Sequence, residues 1–209
     1  MTCASLFAQA PANCPDVMLQ GFHWDSFGGG DMDRSYARTK WEDLKSQVDD
    51  IAETFTMIWL PPSAKSSGGT GYHPKEWSNQ NSDWGSKAQL KEIINAFHAK
   101  NCKVIADIVI NHRDGNNHWG DFCNENFGTY GNFQDFYSKS SQLICKDDEI
   151  KDEPNQIKPT GNNDDGYERQ CNANGGYCAS RDLDHSNTYL QGVIKAYLQW
   201  MKGEMGYDG

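Results

Sequence analysis

Basic charge is scarce in this chain. Nineteen Lys and Arg residues stand against 29 Asp and Glu, for a formal net charge of −10. That shortage excludes a binder of phosphate backbones, which needs a basic face. Long apolar runs are also missing; none approaches the roughly 18 residues of a membrane-spanning helix. There is no CxxC motif, which removes zinc ribbons and thioredoxin-type sites from consideration. No internal repeat or low-complexity tract occurs. Hydrophobic residues make up only 37%, yet nine Phe, nine Tyr and seven Trp are present. Disordered chains are poor in aromatics, so the low hydrophobic share does not signal disorder. A length of 209 residues suffices for one core, or for one domain carrying a large insertion.

The cysteines are odd in number: Cys3, Cys14, Cys102, Cys123, Cys145, Cys171 and Cys178. So many fit disulfides formed in an oxidising compartment, with at least one thiol left over. Cys102 leads into an apolar run and is the expected leftover, a buried small hydrophobe. Cys171 and Cys178 enclose a short Asn- and Gly-rich loop that closes easily, and they are expected to pair. Cys123 with Cys145 is the second expected pair, one of the three connectivities open to four cysteines. Ala8-Gln9-Ala10 is similar to a signal-peptidase site, although the apolar stretch before it is short and lacks a basic start. Residues 1–15 are therefore read as an N-terminal segment, either a signal-peptide remnant or a chance likeness. The corresponding expectation is a secreted, extracellular protein.

Apolar spacing predicts helices in three places. Trp41, Leu44, Val48, Ile51 and Phe55 make one stripe from about Lys40 to Phe55. Ser86 and Gln89 form a capping-box pattern ahead of Leu90, Ile93, Ile94 and Phe97, with Asn101 as a stop. Leu190, Val193, Ile194, Tyr197, Leu198 and Met201 stripe a helix from about Asn187 to Lys202, with Ser186 as candidate N-cap and Gly203 as its end. Each helix follows a strand-like run or a long gap. The runs are Val17 to Phe22, Met57 to Leu60 and Val104 to Ile110. Such alternation implies an α/β fold with a parallel sheet. The gap at 113–181 is rich in Asn, Gly and Asp and shows no helical period. A structureless loop of that length does not suit a compact domain, so the gap reads as a small inserted domain stapled by disulfides.

In parallel α/β folds, functional groups collect at the C-terminal ends of strands. Here those ends offer His23 and Trp24, then a Gly/Ser-rich loop reaching Tyr72, then Asn111 and His112. Aromatic faces beside hydrogen-bonding groups suit a sugar ring, and other ligands too. Asp107 lies inside the third apolar run, where an ionised carboxylate is costly unless paired. It is either a satisfied structural carboxylate or one that orients residues one layer above.

At DIVINH (Asp107 to His112) the chain resembles the first signature region of the alpha-amylase family of retaining glycoside hydrolases. RDLDH (Arg181 to His185) is similar to the motif that closes that family's inserted domain. VMLQGFHWD, IWLPP, GYHP, the SKAQLKEII helix and the terminal GYDG follow in the family's order, so the resemblance runs from about Asp16 to Gly209. Within the family it looks closest to plant-type and related bacterial alpha-amylases.

The resemblance implies a (β/α)8 TIM barrel with a small domain inserted after strand three, of which this chain would hold the first three to four βα units. Residues 16–112 would be the first part of the barrel, 113–181 an inserted calcium-associated domain, and 182–209 the barrel's continuation up to strand four. With roughly 140 residues outside the gap, against roughly 250 for a complete barrel, the barrel would be incomplete. A calcium ion is the implied cofactor, held by the Asn111 side chain, the Asp182 carboxylate, Asp164 and the Tyr167 carbonyl. Asp165 and Asn172 stay open as alternatives to Asp164, because the residues between Glu168 and Ala179 exceed the plant-type pattern. Without the resemblance, that acidic stretch is a solvated loop. Tyr72 and His112 match positions that stack on and hydrogen-bond a sugar ring; an ordinary loop aromatic and loop histidine are the plainer readings. Trp24 is a further substrate-binding candidate, with a core or lining role, like that of His23, as the alternative.

The implied activity is endo-hydrolysis of α-1,4-glucosidic bonds in starch or glycogen, with retention. The partners would be α-glucans, including maltooligosaccharides, with no nucleic acid and no membrane, and the full-length protein would be a monomer. The resemblance places the family's nucleophilic Asp just beyond GYDG and its acid/base Glu later still. No residue of 1–209 is therefore expected to be catalytic, Asp208 included, and the isolated chain is expected to be inactive. The alternatives are a truncated or split glucan-binding protein without catalysis, or a related α-glucan-acting transferase.

Overall fold

A computed structural model describes residues 13–23, 40–116, 120–148, 157–163 and 180–209. Trp24, Asp164, Asp165, Tyr167 and Asn172, and the expected Cys171–Cys178 pair, lie outside the described residues. The chain begins with β1 (Met18–Gln20), α1 (Trp41–Lys45), α2 (Val48–Thr54) and β2 (Met57–Leu60). A hairpin of β3 (Lys65–Ser66) and β4 (Pro74–Glu76) precedes α3 (Lys87–His98) and β5 (Lys103–Ala106). Then come β6 (His112–Arg113), the hairpin β7 (Glu125–Asn126) and β8 (Asn132–Phe133), and α4 (Phe136–Leu143). The described chain closes with β9 (Arg181–Asp182) and α5 (Thr188–Trp200), which continues as a π-helical turn over Met201–Met205.

The expected parallel sheet forms, in the order β1-β2-β5. Met18 pairs with Met57, and Leu60 with Ala106. Ile58 and Leu60 on β2 are fully buried, as a central strand covered on both faces requires. The end of the chain extends this sheet on the far side of β5. Asp208 N–H donates to the Val104 carbonyl at 2.9 Å, and Ala106 N–H donates to the Gly209 carbonyl at 2.8 Å. The apolar run from Val104 to Ile110 is strand only at its start. After Asp107 N–H donates to the Leu60 carbonyl at 3.2 Å, the chain leaves the ladder.

The helix α3 forms as its sequence predicts. Gln89 N–H donates to the Ser86 hydroxyl at 3.2 Å, and Ser86 N–H donates back to Gln89 Oε1 at 2.8 Å. Leu90, Ile93, Ile94 and Phe97 are buried on one face, and Asn101 ends the segment in the left-handed region at φ 57°. The stripe over 40–55 is instead broken in two. Gln47 N–H bonds the Leu44 carbonyl three residues back, and the Ser46 hydroxyl donates to the Asp43 carbonyl at 2.6 Å, so the helix tightens and restarts at Val48. The N-cap of α5 is Asn187 rather than Ser186; its side chain accepts from Tyr189 and Leu190 N–H. Gly203 does not stop that helix. It lies inside the π turn, where a Cβ would fall 2.0 Å from the Tyr130 hydroxyl, and Gly206 at φ 94° provides the cap.

The 113–181 stretch does contain a helix, α4. Its buried face is Phe136, Ser140 and Leu143, and the serine in the stripe hides the apolar period. The expected Cys123–Cys145 disulfide is not formed, and Cys123 is a free thiol. Cys123 lies in the field of Glu76, Arg113, Glu125 and Lys65, whereas Cys145 is held by its N–H on the Asp182 carbonyl. Cys102 is buried, as expected, and burial raises its thiol pKa. Charges hold this stretch in place. Arg113 Nη2 meets Glu125 Oε1 at 2.6 Å with both side chains fully buried, and its guanidinium lies over Trp77, 4.7 Å from the ring centre. Arg181 Nε meets Asp148 Oδ1 at 2.7 Å, again with both side chains fully buried. No helix among the described residues is long and apolar enough to cross a membrane.

Candidate carbohydrate site at the strand ends

The C-terminal ends of β2 and β5 bring Tyr72, Asp107 and His112 together. After β2 the chain turns through Pro61 and Pro62 and returns past Gly71. Gly71 has φ +90°, and a Cβ there would sit 2.3 Å from the Pro62 carbonyl oxygen, so the close return needs glycine. The Tyr72 hydroxyl then donates to Asp107 Oδ2 at 2.8 Å. Burial raises the Asp107 carboxyl pKa despite hydrogen bonds from Tyr72 and the Trp59 side chain, which favour the ionised form. Burial also raises the Tyr72 phenol, and its bond to Asp107 adds to the shift. Asp107 is thus a satisfied carboxylate bonded to the aromatic above it, which agrees with both of its sequence readings.

His112 sits on β6 with Nε2 2.8 Å from the Tyr72 carbonyl oxygen. A carbonyl only accepts, so Nε2 carries the proton in this bond, and in the neutral ring Nδ1 is the acceptor. The backbone of Tyr72 is therefore tied to His112 and its hydroxyl to Asp107. His23 is exposed beyond β1, while Trp24 lies outside the described residues.

A second polar cluster adjoins this one and was not singled out in the sequence. Asp114 is 7% exposed and accepts from the Ser180 hydroxyl at 2.5 Å through Oδ1 and from the Ser67 hydroxyl through Oδ2. His73 Nδ1 meets Ser180 Oγ at 3.0 Å, and its ring centre is 6.2 Å from that of His112. Burial lowers the His73 pKa; nearby Asp114 opposes the shift and His112 adds to it. The GYHP motif marked His73, but nothing local in the sequence marked Asp114.

Of the residues expected to hold calcium, two are described. In the antiparallel pair β6–β9, His112 faces Asp182, and Leu183 N–H donates to the carbonyl of Asn111, the residue just before β6, at 3.0 Å, so Asn111 lies beside the end of β9 that carries Asp182. Both offer hard oxygen donors, the kind calcium takes, so the described pair fits as part of such a site. Among the described residues, no group of three or more His, Cys, Asp or Glu gathers to hold a metal.

The comparisons agree with this geometry. The family model described as alpha amylase, catalytic domain, matches residues 25–206. Alpha-amylase 3, chloroplastic, of Arabidopsis thaliana is 31% identical over 195 residues, covering 93% of this chain and 19% of that protein. Cytoplasmic alpha-amylase of Escherichia coli (strain K12) is 31% identical over 112 residues, covering 47% of this chain and 21% of that protein. The chain thus spans about a fifth of these relatives, whose names place them in different compartments, one chloroplastic and one cytoplasmic. Among solved structures, alpha-amylase from Geobacillus thermoleovorans in complex with acarbose superposes with a TM-score of 0.54 at 24% identity, over 83% of this chain and 34% of that one. That likeness concerns the fold alone. The family match covers most of the sequence and takes in every described strand of the site, and on that ground the chain belongs to the alpha-amylase family.

Proposed function

We propose that this chain forms part of an α-glucan hydrolase that cuts α-1,4-glucosidic bonds within starch or glycogen with retention. The observation that carries the reading is the bonded set Tyr72–Asp107–His112 at the C-terminal ends of a parallel sheet. With its hydroxyl committed to Asp107, Tyr72 offers a sugar its ring face. With Nε2 committed to the Tyr72 carbonyl, His112 offers Nδ1 to a sugar hydroxyl. Trp24 is read as a further lining residue by the resemblance alone. Asp107 is not assigned as a nucleophile. Its carboxyl already holds Tyr72, and burial favours its neutral form.

Retaining hydrolysis needs paired carboxyls about 5–5.5 Å apart. No residue of this chain is assigned to that pair, which we place beyond Gly209 by resemblance. Residues 16–112 and 182–209 are read as barrel and 113–181 as an insertion. Asn111 and Asp182, with Asp164 and the Tyr167 carbonyl, would hold calcium, which supplies a fixed positive charge joining the two ends of the insertion. The protein is read as secreted, on the strength of Ala8-Gln9-Ala10, and as a monomer when full length.

The test is binding and turnover by the purified chain. We expect no reducing ends to be released from soluble starch. We expect maltoheptaose to bind, with Tyr72→Ala weakening it by about tenfold or more, as loss of a stacked aromatic should. Turnover that survives controls for contaminating amylase would overturn the placement of the catalytic carboxyls. Wild-type binding unchanged by Tyr72→Ala would overturn the site.

A further inference from the structure

We propose that Asp114 is a positioning residue of the glucan site, clamping the loop that carries Tyr72 against the strand that carries His112. The inference rests on the reading of Tyr72 and His112 as sugar-binding residues. Three bonds make the clamp. Asp114 N–H donates to the Pro74 carbonyl at 2.9 Å, the Ser67 hydroxyl donates to Oδ2, and the Ser180 hydroxyl donates to Oδ1 at 2.5 Å. Ser67 and Pro74 bracket Tyr72, so one residue holds both ends of its loop, the first through its carboxylate and the second through its backbone N–H. Asp114 also stands two residues after His112, which the Tyr72 carbonyl grips from the other side.

Ser180 extends the clamp to the far end of the 113–181 stretch and to the loop again through His73. Its backbone has φ 74°, a left-handed conformation that costs a non-glycine residue energy and persists only where the surroundings hold it. The side chain is 2% exposed, and its hydroxyl stands between Asp114 and His73. Charge-assisted bonds in a water-poor setting are directional and strong, which suits them to holding a loop in register. A sugar that stacks on Tyr72 and bonds His112 needs both at one spacing, and Asp114, joined to β6 through the chain, is hydrogen-bonded to the Tyr72 loop at Ser67 and Pro74.

The test compares Asp114→Ala, Asp114→Asn and Ser180→Gly in the full chain. Ser180→Gly keeps a residue at ease with the left-handed backbone and removes only the hydroxyl. Asn keeps an acceptor oxygen and can donate to the second serine, so it should rescue much of the function. Two quantities are read: maltoheptaose affinity and the imidazole resonances of His112 and His73 in histidine-labelled protein without ligand. Asp114→Ala should weaken affinity about tenfold and shift the His112 resonances. Asp114→Asn should return both most of the way, and Ser180→Gly should produce a smaller shift in the same direction. If Asp114→Ala does not fold, Ser180→Gly and Asp114→Asn carry the comparison. Unmoved His112 resonances together with unchanged affinity, in folded variants, would overturn the clamp. Absence of maltoheptaose binding by the wild-type chain would instead overturn the sugar reading, and the resonances alone would then decide whether Asp114 sets the position of His112.

Discussion

The sheet with its helices and the stretch from Arg113 to Asp182 share one apolar core, to which the second gives Phe122, Phe127 and Phe136, but they differ in buried charge. In the first, Ile58, Leu60, Val104, Leu90, Ile93 and Phe97 are fully buried in that core. In the second, the largest fully buried side chains include Arg113 and Arg181, each matched by a buried carboxylate, Glu125 and Asp148. Glu125 also accepts the N–H groups of Trp77 and Ser78, at 2.7 and 2.8 Å, and so ties the stretch to the chain beyond β4. Apolar packing is non-directional and loses strength in proportion to the surface removed. A buried ion pair behaves otherwise, because removing one partner strands the other charge away from water. The difference teaches that the apolar half should yield gradually to truncation and the other half abruptly.

The largest effect should come from Glu125→Ala, which strands the Arg113 guanidinium and two backbone donors. A loss of about 3–5 kcal/mol is expected, at the upper end of the core losses. Ile93→Ala should cost about 2–5 kcal/mol. Urea unfolding monitored by circular dichroism gives both figures. A Glu125→Ala cost well below that of Ile93→Ala would break the comparison.

Calcium comes next in size. If the ion joins Asn111 to Asp182 it closes a loop of about 70 residues, where a clip stabilises most. Binding only to the folded form adds about 2.7 kcal/mol at a hundredfold excess over the dissociation constant. Chelation should lower the unfolding temperature and speed hydrogen exchange at 113–181 before α3 responds. Asp182→Ala should mimic the chelator, and Asp147→Ala should do so less. Equal small effects of both substitutions, with no response to chelator, would remove the ion from the account.

A smaller effect, with opposite signs at the two ends of β5, should appear with pH. At one end, burial acts to raise the Asp208 carboxyl, but Val104 N–H and His98 outweigh it and the pKa is lowered below 3.8. Its contribution to stability is then present above that reference and is lost as pH falls through the folded value. At the other end, burial raises Asp107, so its contribution is present below the reference and is lost as pH rises through the folded value. Asp208→Asn should therefore flatten the acid side of the stability profile, and Asp107→Asn should flatten the slope above about pH 4. Urea midpoints at a series of pH values decide this; identical profiles for the two variants would contradict the opposed shifts. The smallest effect belongs to the exposed pair Lys45–Glu92, 2.7 Å apart with half of each side chain or more in water. Lys45→Ala should leave the urea midpoint nearly unchanged.

Legibility in the sequence followed the same division. Met57–Leu60 was readable as a strand to the residue, and the start of α3 was readable from its capping box, while its end falls at His98, short of the expected stop at Asn101. The single helix expected over 40–55 failed at Ser46 and Gln47, where local bonds interrupt a stripe that remains buried on both sides of the break. The helix α4 was unreadable because only Phe136 and Leu143 mark its buried face apolar. Of the site, Tyr72 and His112 were visible through their motifs. Asp107 was visible as an anomaly, and Asp114 was not visible at all.

By itself the sequence determined the alternation of the three sheet strands with their helices, the parallel sense of the sheet and the family likeness. Each of these is written in spacing along a few consecutive turns or in short motifs, and burial of an apolar stripe does not depend on which surface it meets. Tertiary structure alone decided that Arg113 meets Glu125, that Arg181 meets Asp148, and that Ser67, Ser180 and Asp114 share one carboxylate. An ion pair or hydrogen bond exists only at a particular distance and angle between groups far apart in the chain. Until the fold sets that distance, a buried charge and a solvated one read alike.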